Sequence, residues 1–175
     1  MKFSAITLLT PLALLASTVA ADAATIVSAI TLIDTTTKSL GEKVAAWNGV
    51  LVLGTIPIVA DSTELLKNLK DAKKAAAKSD PVDDLGAIQI AQAVLKLSGS
   101  VNVTLGNIIA AKPKFDAKLL SPVILLNLKQ EQKATDELTA EIGPKLPEWA
   151  RDLARQIIHP VEVAFDLAIE KYKLF

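Results

Sequence analysis

Ser121-Pro122 followed by Val123, Ile124, Leu125, Leu126 and then Leu128 places the tightest constraint on this chain. Ser-Pro reads as a helix start, because Pro at the first helical position gives up an N–H that has no intrahelical partner anyway. A helix apolar on all sides for two turns is expected to be surrounded by other elements. It is too short to span a bilayer, which takes about 20 apolar residues. The stretch from Lys112 to Leu128 is therefore expected to wall the centre of a bundle or an apolar cavity, with Lys112-Pro113-Lys114 as a turn and Phe115 at the rim.

The remainder of the chain offers helices to surround it. Residues 1–20 read as a secretory signal peptide: Lys2 is a basic start, Ile6 to Leu15 are apolar, and Thr18-Val19-Ala20 suits cleavage. Residues 21–175 then form one domain, and with no cysteine they must hold together by packing. The first helix is expected from about Thr25 to Asn48, with Ile26, Ile30, Ile33, Thr37, Leu40, Val44 and Trp47 in one inward stripe. Thr37 is its single polar interruption. Val50 to Val59 is almost wholly apolar and broken by Gly54 and Pro57. Two readings stay open: a buried first turn of helix 2, or an apolar flap at a pocket mouth. Helix 2 extends to about Lys78, and Lys67, Lys70, Lys74 and Lys78 form a solvated face.

Asp80-Pro81 reads as the cap and first residue of helix 3, whose apolar side carries Leu85, Ile88, Ala91, Leu95, Val101, Leu105 and Ile108. Gly99 and Gly106 either thin this helix for close packing or weaken it. Helix 4 runs from Pro122 to about Ile142, with Glu131, Lys133, Asp136 and Glu137 wet and Ala134, Leu138 and Ile142 inward. Helix 5 begins at Pro147, and Pro160 is expected to bend or split it. The fold class is all-α, a single five-helix bundle with an apolar central core or cavity. The closing Lys171 to Phe175 does not resemble a lipid-anchor signal, so release from the cell is expected.

Covalent chemistry is poorly served. His159 is the one histidine, no Gly-x-Ser-x-Gly elbow presents a nucleophile, and ligands for zinc are lacking. Lys+Arg and Asp+Glu balance at 19 each, which gives no overall attraction to nucleic acid. The chain is read as a non-enzyme without cofactor or metal. What remains is apolar binding between helices. The inward stripes nominate Ile33, Trp47, Leu51, Leu69, Leu95, Leu105, Phe115, Leu126, Phe165 and Ile169 as lining. Asn127 either faces solvent or supplies a buried amide to a carboxylate head group. Asn102-Val103-Thr104 is an N-glycosylation sequon, which requires Asn102 to face water.

Lys112-Pro113-Lys114-Phe115-Asp116 resembles a turn of the fungal hydrophobic surface-binding protein A family, also called cell-wall galactomannoproteins. Leu125 to Lys129 with Ala134-Thr135-Asp136, and Ala164-Phe165-Asp166 with Ala168-Ile169 and Tyr172, resemble its following and closing helices. The resemblance implies a secreted fungal helical bundle that binds hydrophobic surfaces, recruits hydrolases to them and in some members holds fatty acids in a central cavity. It brings no catalytic residues. The chain departs from the family in lacking a Ser/Thr-rich stalk, so secretion is expected more firmly than attachment to the wall. The leading expectation is a lipid carrier, and the alternative is a surface-active adsorber.

Overall fold

The computed structural model describes residues 11–173, with side chains from Asp22. The expected leader falls partly on residues 1–10, outside that range, and partly on residues that continue the first helix upstream. The helices are α1 (Pro11–Ala46), α2 (Ile56–Lys78), α3 (Asp84–Asp116), α4 (Ser121–Ile142) and α5 (Glu148–Lys173). Short 3₁₀ turns, Val52–Thr55 and Gly143–Lys145, precede α2 and follow α4.

Several boundaries differ from expectation for local reasons. The α3 cap is Asp83, whose carboxylate accepts from the Gly86 N–H at 2.8 Å; Asp80 lies upstream of the helix. Lys112-Pro113-Lys114 is the last turn of α3. Proline here removes only the bond to Ile109 and leaves the ladder on either side. The turn comes after Asp116, where Leu119 takes a left-handed φ of 57°. Ser121 donates to the Asp116 carboxylate across it. Similarly α5 runs through Pro160 as one helix.

The neighbours close a ring in the order α1–α3–α5–α4–α2 and back to α1, while α3 and α4 hardly touch. Polar bonds show the directions. Thr104 donates to Thr37 O at 2.9 Å, Asn107 to Gly41 O at 3.1 Å and Lys114 to Trp47 O at 2.7 Å, so α3 lies parallel to α1 in a fixed register. Asp34, 3% exposed, receives Ser100 on the same seam. Burial opposes its charge, but hydrogen bonds from Lys38 and Ser100 outweigh that and hold its pKa below the ordinary value. Gly41 permits this approach, since a Cβ there would stand 2.5 Å from Thr104 Oγ1. Gly99 and Gly106 face open space, so of the two readings close packing does not apply to them.

A ring of five explains what lies inside it. Helix axes about 9 Å apart stand about 8 Å from the centre of such a ring. Helices about 10–12 Å across then leave a channel roughly 2–3 Å in radius unless large side chains fill it. The chain has few such side chains to spare: aromatics are 4% of it. Trp47, Phe115 and Tyr172 are committed to one end, where Trp47 and Phe115 ring centroids are 4.8 Å apart and Phe115 and Tyr172 6.5 Å. The Tyr172 hydroxyl donates to Ile108 O at 2.7 Å, and Trp47 Nε1 to Leu51 O at 3.1 Å, which fixes the plug.

Candidate functional site

The hollow of the ring is a cavity of about 280 Å³, close to the lower bound of about 300 Å³ for small-molecule sites. All five helices contribute to it. Ile30, Ile33, Thr37 and Leu40 come from α1, and Leu65 and Leu69 from α2. From α3 the wall runs from Ala87 to Ile108, from α4 Glu131 to Ile142, and from α5 Ala150 to Phe165. Small residues at Ala87, Ala91, Ala150 and Ala154 keep the end nearest the α5 N-terminus wide. There Arg151 and Arg155, both exposed, form part of the rim. Arg151 Nε donates to Leu146 O at 3.0 Å, and Arg155 pairs with Asp152 at 3.1 Å.

Ser98, Thr104, Thr135 and Thr139 of the wall spend their hydroxyls on backbone carbonyls, which leaves two other polar residues in the wall away from that rim. Glu131 is 4% exposed and accepts from Ser62 Oγ at 2.7 Å. Burial pushes its carboxyl up to about 7, and the Ser62 hydrogen bond offsets only part of that rise. Thr37 is 2% exposed, and its hydroxyl has no partner among the described residues. Leu40, Ile108 and Glu131 also separate the main cavity from a small one of about 30 Å³ beside Phe115 and Leu128, enough for about one water.

Of the nominated lining residues, Ile33, Leu69, Leu105 and Phe165 meet at the main cavity. Trp47 and Phe115 are buried in the aromatic plug, so Phe115 is not at a rim; Ile169 is buried in the core. Leu51, Leu95 and Leu126 are 66%, 61% and 55% exposed, and the expectation for them is corrected. Leu51 and Leu126 lie in segments apolar on every side, where no period tells which side chain faces inward. Leu95 belongs to the expected Leu85–Ile88–Leu95 stripe of α3, which is exposed, because the neighbouring stripe of Ala87, Ile90 and Val94 is the one that faces the cavity. The Val50–Val59 connector lies on the outside: Val50, Leu51, Val52, Leu53, Ile56 and Val59 are all exposed. In the same way Val123 and Leu119 of the opening stretch face water, so it is not surrounded on all sides.

Asn127 is half-buried and borders the small cavity. Glu131, expected to be wet, is the charged residue of α4 in the main wall, beside Thr135 and Thr139. Its position was readable: Leu128, Glu131, Leu138 and Ile142 fall on one helical stripe. Asn102 is exposed, as its sequon would need. His159 lies on the outside of α5, 3.6 Å from Glu162.

Comparisons with known proteins agree with this architecture. The chain is 28% identical to cell wall mannoprotein 1 of Aspergillus fumigatus over 99% of its own length and 61% of the relative's. It is 26% identical to cell wall mannoprotein 1 of Aspergillus flavus, over 78% of the chain and 49% of the relative. It thus spans about half to three-fifths of these relatives. Among solved structures, AfMp4p in complex with palmitic acid superposes with a TM-score of 0.83 at 23% identity, covering 86% of this chain and 99% of that one. Ligand binding domain 2 of the Penicillium marneffei MP1 protein, complexed with multiple arachidonic acids, gives 0.81 at 18% identity over 87% and 96%. The family model for hydrophobic surface binding protein A matches residues 23–143, from the first packed turn of α1 to the end of α4, and the chain belongs to that family.

Proposed function

We propose that the chain is a secreted, non-catalytic binder of fatty acids or similar lipids, held in the cavity at the centre of the helix ring. The observation that carries this reading is the cavity itself: an apolar hollow lined from five helices, with charged groups at its rim. Its ligand would be stabilised by about 0.8 kcal/mol per buried CH₂. The fatty acids in AfMp4p and in the MP1 domain, which share the fold, support the choice of ligand. Secretion rests on the leader-like residues 1–20 and on the naming of the relatives as cell wall proteins. Native mass spectrometry on protein stripped with organic solvent tests the reading. Added hexadecanoic acid should be taken up one molecule or more per chain. No co-purifying lipid and no uptake would sink it.

A second activity is supported by a different observation. The exposed run Val50, Leu51, Val52, Leu53, Ile56 and Val59 is an apolar surface outside the cavity, and such patches commonly mark interaction sites. Adsorption through it to a hydrophobic surface, with recruitment of hydrolases there, would persist with the cavity filled. Adsorption abolished by cavity ligand would make the two activities one.

A further inference from the structure

We infer that the cavity is built for a long-chain acid carrying a second polar group: Arg151 and Arg155 meet the carboxylate at the rim, and Thr37 with Glu131 meets a hydroxyl near the far end of the chain. The inference rests on the lipid-binding reading above and adds the class of lipid.

Thr37 carries the argument. Helical threonines ordinarily return their hydroxyl to the carbonyl four residues back. Thr31, Thr35 and Thr36 on the same helix do so, to Val27, Thr31 and Leu32. Thr37 makes no such bond: the residue lines the cavity, and its hydroxyl oxygen is buried without a partner among the described residues. A buried unpaired hydroxyl is costly, and a methylene chain beside it offers no bond. A ligand hydroxyl, which both donates and accepts, does. Glu131 stands in the same wall, one oxygen engaged by Ser62.

The two ends of the cavity differ in charge, which sets the direction of the ligand. Arg151 and Arg155 are the only lysines or arginines among the lining residues. Guanidinium groups suit a carboxylate. A carboxylate beside Glu131 would instead meet a like charge whenever Glu131 is ionised, with no lysine or arginine of the lining there to offset it. Gln132 donates to Asp166 at 2.8 Å across the antiparallel α4 and α5, which puts Glu131 level with Leu167. From there Arg155 and Arg151 lie twelve and sixteen residues back along α5, or about 18 and 24 Å. A long acyl chain covers such a span and a short one does not, so the hydroxyl belongs at the distal end of the chain.

The test is competition on the stripped full chain, read by native mass spectrometry, among hexadecanoic acid, its ω-hydroxy derivative and its methyl ester. The ω-hydroxy acid should be retained about tenfold over the plain acid, the discrimination of one net hydrogen bond. The plain acid should outcompete the ester. Thr37→Val, nearly isosteric, should cancel the preference for the hydroxyl while leaving acid over ester. Arg151→Gln with Arg155→Gln should cancel acid over ester alone, and Arg→Lys at both should restore part of it. Wild type holding plain and hydroxy acids equally, or a ratio unmoved by Thr37→Val, would overturn the inference and leave lipid binding intact. If none of the three binds, the lipid-binding reading fails and this one with it.

Discussion

Replacing Glu131 with Gln should make the protein more stable in neutral and alkaline solution while changing little in acid. The Glu131 carboxyl is 4% exposed and raised from 4.5 to about 7 by burial. Between those values the folded state binds a proton that the unfolded state has released, so stability falls as pH rises through that window. At about 1.4 kcal/mol per pKa unit, the loss is about 3 kcal/mol once pH exceeds 7. Glutamine is neutral throughout and still accepts from Ser62. The two proteins should therefore melt within a few degrees of each other near pH 4.5. Near pH 8.5 the variant should melt roughly 6–12 °C higher, at 2–4 °C per kcal/mol for a chain of this size. Taking the difference between the two proteins cancels other groups, such as Asp34 with its lowered pKa and Asp136, raised by burial and then by Glu162 and Asp166. The assay is thermal unfolding by far-UV circular dichroism at both pH values. A difference between wild type and variant that does not change with pH would refute the reasoning.

Other perturbations bear on separate parts of the fold. Gly41→Ala should destabilise by about 1–3 kcal/mol through its clash with Thr104, although alanine is the better helix former. Gly106→Ala, which meets open space, should stabilise by up to about 1 kcal/mol; urea unfolding separates the two. Tyr172→Phe removes the bond to Ile108 O and should cost about 1 kcal/mol in the same assay. Leu51→Ser with Leu53→Ser should reduce adsorption to a hydrophobic surface, measured by quartz-crystal microbalance, and leave fatty acid uptake unchanged. Equal adsorption by wild type and variant would remove the connector from that role.

The helices themselves were legible because their inward faces repeat at steps of three and four. Ile26, Ile30, Ile33, Leu40, Val44 and Trp47 all lie buried on α1 as that spacing requires. What could not be read was orientation where the period is lost, and on α3, where two apolar stripes compete and the exposed one, Leu85, Ile88 and Leu95, reads as the inner. The Val50–Val59 and Leu119–Leu128 runs are apolar on all sides, so sequence alone assigns Leu51 and Leu126 inward, while the structure turns them to solvent. Glu131 failed for the opposite reason: its charge argued for water and outweighed its place on the Leu128–Leu138 stripe. The cavity itself has no local signature. It arises from which helices are neighbours, and that order does not follow the chain.

The ring order also bears on how quickly this molecule can form. Consecutive helices of a simple bundle find each other across a short loop, yet α2 and α3 follow one another and do not pack together, and α3 and α4 scarcely do. The α1–α3 seam instead joins residues 66 or 67 apart, such as Asn107 to Gly41 and Lys114 to Trp47. The α3–α5 contact joins Tyr172 to Ile108, 64 apart. Loops of that length must close before the packing repays them, and folding slows as the mean separation of contacts grows. A helical protein of this design should fold more slowly than its helix content implies. Its interior stays open to solvent until distant parts of the chain have met.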